Sequence, residues 1–329
     1  MDNSISLSDV LVARKRIAGK AINTPFRKSL WLSELTGAEV FLKLENLQVT
    51  GSFKFRGALS ALTRDRENAL SKIFTASAGN HGLAVAEAAV DLGRDVTICL
   101  PVNASAVKRQ RLKDYSVAVI EHGDDCEVTE EFARRLAKEK KGFFISPYNN
   151  RDVIAGQGTV ALEMFEAQPH LNTLIAAVGG GGLISGMGVV AKSVSKSTRV
   201  LGVVAAASPA MTSSINQGRI VRVMQDQTIA DGIAGNIEPD SITFQMCQEY
   251  VDDWAVVEET DIKSAIFEFL ENEGMLIEGA AAATIAAVLT KQLTLKPKEK
   301  VGIVICGGNI ARQEWREIII EHLVSKSRK

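Results

Sequence analysis

The chain has 329 residues, 46% hydrophobic and 23% charged, with a formal net charge of -1. That balance suits an ordinary soluble globular protein, and the length calls for one large or two moderate domains. Near-neutrality removes the electrostatic case for nucleic acid or an anionic membrane as a partner.

The opening stretch, MDNSISLSDVLVARKRIAG, lacks the basic-then-apolar order of a signal peptide. Ser8-Asp9 predicts the first helix start. Short apolar runs then alternate with longer helical patterns. The runs predict strands over 39–44, 72–76, 95–100, 116–121, 142–146, 173–178, 199–205, 252–257 and 300–306. Between them, stretches such as HGLAVAEAAVDLG carry apolar residues three and four apart, and Asp124-Asp125 predicts the start of the helix CEVTEEFARRLAKEKK. Strands that are apolar throughout belong to parallel sheets covered on both faces, so the alternation predicts an α/β architecture. Residues 174–191, LIAAVGGGGLISGMGVVA, are uncharged and long enough to raise the question of a membrane span. Six glycines, four of them consecutive, favour a buried strand, a turn and a helix start instead. If there are two domains, the chain crosses between them near 66–71 and 147–150.

Cys99, Cys126, Cys247 and Cys306 form no CxxC pair, which points to a reduced, cytoplasmic protein. His81, His122, His170 and His322 show no metal-ligand spacing, and no metal site is expected.

Four loops carry chemistry. In TGSFKFRGA (50–58), Lys54 stands between Phe53 and Phe55 behind a Thr-Gly-Ser turn. A desolvated lysine loses its proton more readily and becomes a nucleophile, although a surface lysine at a helix start has the same local pattern. SAGNHG (77–82) follows a strand and opens a helix. Ser77 and Asn80 are N-cap types that bind either an anion or free helix amides, and His81 reads as a structural hydrogen bonder. Gly179 to Gly182 follow another strand and precede a helix, which suits either a phosphate cradle or close packing. A nicotinamide fingerprint would need an acid at the end of the next strand, where Val203-Val204-Ala205-Ala206 supplies none. CGGN (306–309) places Cys306 at the carboxyl end of a strand, where ligands bind in open α/β sheets, although a lone cysteine is more often a small buried apolar residue. A phosphate cradle beside a nucleophilic lysine implies pyridoxal 5'-phosphate.

The set LKLENLQVTGSFKFRGA, SAGNHG, VIAGQGT, GGGGLISG, TIADGI and CGGN, running from about residue 20 to 310, resembles the serine/threonine dehydratase group of pyridoxal-phosphate enzymes. The resemblance implies fold type II, as in the tryptophan synthase β chain: two open twisted, mainly parallel sheets flanked by helices. It divides the chain into a large domain (1–68 and 149–329) and a small one (69–148). It makes Lys54 the Schiff-base and proton-transfer residue, with Phe53 near the cofactor ring and Asn80 on its hydroxyl. Gly179 to Gly182, with Leu183, would take the phosphate, and Cys306 the pyridine nitrogen. Ser77, Ala78, Gly79, Asn80 and His81 would hold the substrate carboxylate. Ser52, Gln157, Gly158 and Glu278 would lie about the substrate, with Asp231 nearby. The implied reaction removes water from an L-threonine- or L-serine-type amino acid and yields a keto acid and ammonia. A homodimer is the family default.

Departures refine this. Racemases of the group carry Ser where this chain has Ala78, so racemisation should be minor. The Glu-Pro cation site of many relatives is absent at 203–207. The chain ends at Lys329, so feedback through a C-terminal regulatory domain is not expected. β-Replacement enzymes usually have Asn at the position of Phe53, which disfavours that alternative. Intact Lys54, Asn80 and glycine loop disfavour a non-catalytic binding protein. The segment IEGAAAA (277–283) has Gly279 where relatives have Pro, and its small residues suggest room for a bulkier β-hydroxy amino acid, such as a hydroxyectoine-derived one or a β-aryl serine.

Overall fold

The computed structural model describes residues 5–64 and 71–326. The boundary expected at residue 68 lies outside the described residues.

Helix α1 (Leu7–Ile17) starts two residues earlier than a cap at Ser8 would set it, because Ser6 forms a capping box with Asp9. Strand β1 (Phe26–Lys28), helix α2 (Leu30–Thr36) and strand β2 (Glu39–Leu44) follow, and β1 was missed in the sequence because it has only three residues. Helix α3 (Lys54–Arg64) begins at Lys54 itself. Then come β3 (Ile73–Ala76), α4 (Asn80–Leu92), β4 (Val96–Leu100), α5 (Ala106–Lys113), β5 (Ala118–Glu121), α6 (Cys126–Glu139) and β6 (Phe143–Phe144). The remainder runs α7 (Arg151–Ala167), β7 (Thr173–Ala177), α8 (Gly182–Val194), β8 (Arg199–Ala205), α9 (Ala210–Gln217), α10 (Ile242–Tyr250), β9 (Asp253–Val257), α11 (Glu259–Glu273), α12 (Gly279–Leu289), β10 (Lys300–Ile305) and α13 (Arg312–Lys326).

Two sheets result. The larger has the order β1-β2-β10-β7-β8-β9 and is parallel except for β1 against β2. The smaller, β5-β4-β3-β6, is parallel throughout and uses only strands between residues 73 and 144. Each has its own apolar cluster, and Phe55 belongs to the one beside the small sheet. Of the two phenylalanines flanking Lys54, only Phe53 therefore remains beside the amine.

The loops after β2, β3, β7 and β10 leave the carboxyl ends of parallel strands, the ligand-binding edge of such sheets. Register brings two together: Ile305 pairs with Leu44, and an isolated bridge joins Ser52 to Gly307. Among the described residues no helix is long and apolar enough to cross a membrane.

Candidate active site

Helix α3 is seated by a buried charge network. Arg56 reaches both oxygens of Glu45 at 2.8 Å and both oxygens of Glu163 at 2.6 and 2.8 Å. Buried Lys43 adds a bond to Glu163 at 2.6 Å. The neighbouring carboxylates hold Arg56 more firmly charged than an ordinary arginine, outweighing the cost of its burial.

Two residues earlier Lys54 has none of this. Its Nζ donates to the Pro147 carbonyl at 3.0 Å and lies 5.1 Å from the Phe53 ring centre. Burial lowers its pKa to about 8, which the neighbouring Cys306 and Glu278 side chains oppose only in part.

Lys54 stands in a recess with Phe53, Asn80, Tyr148, Gly179 to Leu183, Glu278 and Cys306. The recess opens into a cleft of about 770 Å³, walled on the far side by Ser77, Ala78, Gly79 and parts of α5 and α6. The structure thus brings together residues from four loops and both sheets.

The glycine loop has a packing reason at several positions. A Cβ on Gly179 would come within 2.9 Å of the Ile233 backbone, and one on Gly182 within 3.0 Å of Tyr148 Cα. Gly181 adopts φ +84° and caps α8. The first helical bond is made by the Ser185 amide to the Gly181 carbonyl at 3.0 Å. The amides of Gly182, Leu183 and Ile184 precede it, the usual set of unpaired donors at a helix start.

Asn80 is the first residue of α4, and Gly79 is its cap. Its side chain caps nothing. Nδ2 donates to both oxygens of Glu278 at 2.9 and 3.0 Å, and Oδ1 accepts from Asn309 Nδ2 at 2.7 Å. Glu278 also accepts from the Asn309 amide at 3.0 Å. Burial pushes its carboxyl up to about 7 against these hydrogen bonds. Burial also raises the Cys306 thiol well above its usual value, so the sulfur is neutral.

Other expected residues stand apart. His81 lines the cleft, but its Nε2 lies 3.0 Å from Thr75 Oγ1 and 3.4 Å from the Ile145 carbonyl, within the small sheet. Desolvation lowers its pKa to about 3 and keeps it neutral. Ser77 Oγ is an acceptor for the Gly79 amide at 3.2 Å. Asp231 sits at the cleft mouth, paired with Lys108 at 2.7 Å. Ser52 is fully buried beside Gly307, its hydroxyl without a partner among the described residues.

Gln157 and Gly158 do not reach the recess or the cleft. Gln157 packs under Gly57 between α3 and α7, and Gly158 lets α7 approach Gly186 of α8 and Val10 of α1. Gly279 makes no room for substrate either, because the space where its side chain would stand is filled by the Ile229 carbonyl. The alanines 281 to 283 are buried in the main core. Three residues absent from the expected site hold it together: Tyr148, Asn309 and Glu238. Asn309 falls within CGGN and Tyr148 within the crossing expected near 147–150, while Glu238 carries no local signal.

A family profile described as pyridoxal-phosphate dependent enzyme matches residues 17–307. The chain is 40% identical over 326 residues to an L-threonine ammonia-lyase of Thermotoga maritima, covering 99% of this chain and 80% of that protein. It is 37% identical over 310 residues to a catabolic L-threonine dehydratase of Staphylococcus aureus, covering 93% and 89%. A solved serine racemase from maize superposes with TM-score 0.89 at 31% identity, covering 98% of this chain and 99% of that one.

Proposed function

Because the chain belongs to the pyridoxal-phosphate dependent enzymes, we propose that it removes water from an L-β-hydroxy amino acid of the threonine or serine type. The products are the 2-keto acid and ammonia. The observation that carries the reading is the Lys54 amine, buried without a carboxylate partner and facing a glycine-lined helix start across one recess. That recess fits the cofactor: α8 offers amide donors for a phosphate, and Lys54 offers an amine for an aldehyde. When bound, pyridoxal phosphate supplies an electron sink for loss of the Cα proton.

The chain's own residues supply the rest. Lys54 Nζ, partly neutral near pH 8, takes the Cα proton. The neutral Cys306 thiol would face the cofactor without adding charge. Asn80, fixed by Glu278 and Asn309, would hold the ring hydroxyl. The loop 77–81 would hold the substrate carboxylate. Glu278, with a pKa of about 7, would pass a proton to the departing hydroxyl. After loss of water, displacement by the Lys54 amine would release the enamine, which tautomerises to its imine. Water adds there and ammonia leaves. Ala78 stands where racemases of the group carry Ser as second-face acid, which supports elimination over racemisation.

The two-domain division, with the small domain at 69–148, is part of this reading and is supported by the confinement of the small sheet to residues 73–144. So are a homodimer and a cytoplasmic location.

The test is to incubate holoenzyme with L-threonine, L-serine and bulkier β-hydroxy amino acids, measuring keto acid, ammonia and loss of optical activity. Keto acid and ammonia in equal amounts from L-threonine or L-serine are expected. Racemisation outrunning ammonia release, or no turnover of either substrate, would overturn the reading.

A further inference from the structure

Glu238 lies between the glycine-rich segment 231–235 and α10, remote in sequence from every motif of the site. Its side chain is 9% exposed and gathers donors from two parts of the molecule. Ser146 Oγ donates to Oε1 at 2.6 Å and Asn149 Nδ2 to Oε2 at 2.7 Å. Arg134 Nη2 reaches Oε2 at 2.6 Å. The Glu238 amide donates to Tyr148 Oη at 2.9 Å.

The loop 146–149 is fastened from α10 as well, and so is the glycine loop. The Ile242 amide donates to Asn149 Oδ1 at 3.1 Å, and Thr243 Oγ1 donates to the Gly180 carbonyl at 2.6 Å. The loop in turn touches both halves of the site. Tyr148 packs on Gly180 and Gly182 of the glycine loop, and Pro147 takes the hydrogen bond of Lys54. Arg134 comes from the other body: it projects from α6, covers the Phe144 ring of β6 at 4.2 Å, and bonds Glu130 through Nε at 2.9 Å and Nη2 at 2.8 Å.

We infer that Glu238 is a positioning residue: held by Arg134, it ties the small sheet to the loop that shapes the phosphate cradle and aims Lys54. A buried ion pair is poor evidence of stability by itself. Here each donor lies on an element that touches the cofactor recess or closes the cleft above it, so the geometry serves the site. The inference rests on the cofactor and not on which amino acid is the substrate.

The experiment measures the rate at which holoenzyme loses bound pyridoxal phosphate, read as decay of its visible absorption in the presence of a trapping carbonyl reagent and without substrate. Glu238→Gln, Arg134→Met and the double variant are compared with the parent, alongside their melting midpoints. Each single change is expected to speed release about tenfold, the loss of one hydrogen bond to a charged group. The double variant is expected to be no faster than Glu238→Gln, because Arg134 acts through Glu238. Release within about twofold of the parent in Glu238→Gln, with only a lower melting point, would mark a merely structural residue. Multiplying effects in the double variant would also overturn the inference. If Glu238→Gln does not fold, Arg134→Met decides alone, since that side chain is 41% exposed and its replacement leaves the core intact. Failure of the dehydratase reading would appear in turnover and leave this rate untouched.

Discussion

Lys54 and Arg56 stand two residues apart at the start of α3, both out of water, yet their surroundings give them opposite characters. Arg56 faces four carboxylate oxygens below the helix, from Glu45 and Glu163, and stays charged. Lys54 faces a carbonyl oxygen and a phenyl ring above it, forms no ion pair among the described residues, and gives up its proton near pH 8. Burial alone therefore does not make a reactive cation. Burial without an ion-pair partner does. The floor of the site spends its carboxylates on Arg56, and that arrangement fixes the helix start from which Lys54 projects.

The largest effect should come from removing the amine. Lys54→Met keeps the volume and deletes the base, and turnover should fall at least about 10²–10⁴-fold, the usual weight of a proton-transfer group. The same variant should lose no stability as apoprotein, because it removes a buried cation that forms no ion pair among the described residues. Keto acid production and thermal melting check the two halves. A Lys54→Met protein that still turns over would remove this lysine from the reaction.

Arg56→Met inverts the result. It strands Glu45 and Glu163 in the interior with only Lys43 for compensation, and should destabilise the fold by about 3–5 kcal/mol, the range for breaking a buried pair. Urea unfolding of the apoprotein measures it. A cost below about 1 kcal/mol would mean that the carboxylates protonate or rehydrate easily, and that the floor is less rigid than its hydrogen bonds indicate.

The difference between these two neighbours was only half legible in the sequence. Lys54 could be singled out because its motif follows a turn and joins three other loops that leave apolar strands, and those strands were readable from their composition: β8 occupies the predicted 199–205. Arg56 gave no signal, since its partners Glu45 and Glu163 are distant in the chain. The same limit explains the misplaced residues. Gln157 and Gly158 belong to a stretch that also carries the family resemblance, but the helix contacts that claim them form only when α7 packs on α3 and α8. Gly279 suggested space in the pocket, and tertiary packing fills that space with the Ile229 carbonyl. Glu238 was invisible for the reason Arg56 was: its role lies in who surrounds it. Local sequence shows which groups leave a strand toward the ligand edge. It does not show which charges meet beneath it.

The finest distinction between the two cations is one of pH. Capture of pyridoxal phosphate by the apoprotein requires the free amine of Lys54, and burial favours that neutral form, so the folded pKa is about 8 against 10.5 for an ordinary lysine. Below pH 8 the amine is mostly protonated and capture is slow. As pH rises through 8 the free amine becomes the main form, and the capture rate should climb by about tenfold between pH 7 and 9 and then level off. An exposed lysine would still be rising at pH 10. Stopped-flow absorbance of apoprotein mixed with cofactor gives the midpoint directly. Glu278, with its own pKa of about 7, lies in the same recess and acts on Lys54 in the opposite direction, its negative charge favouring the ammonium. Glu278→Gln should therefore shift the capture midpoint downward, a smaller change than either substitution on α3. A midpoint that does not move would mean that Glu278 is neutral in the apoprotein and that burial tunes Lys54 without it.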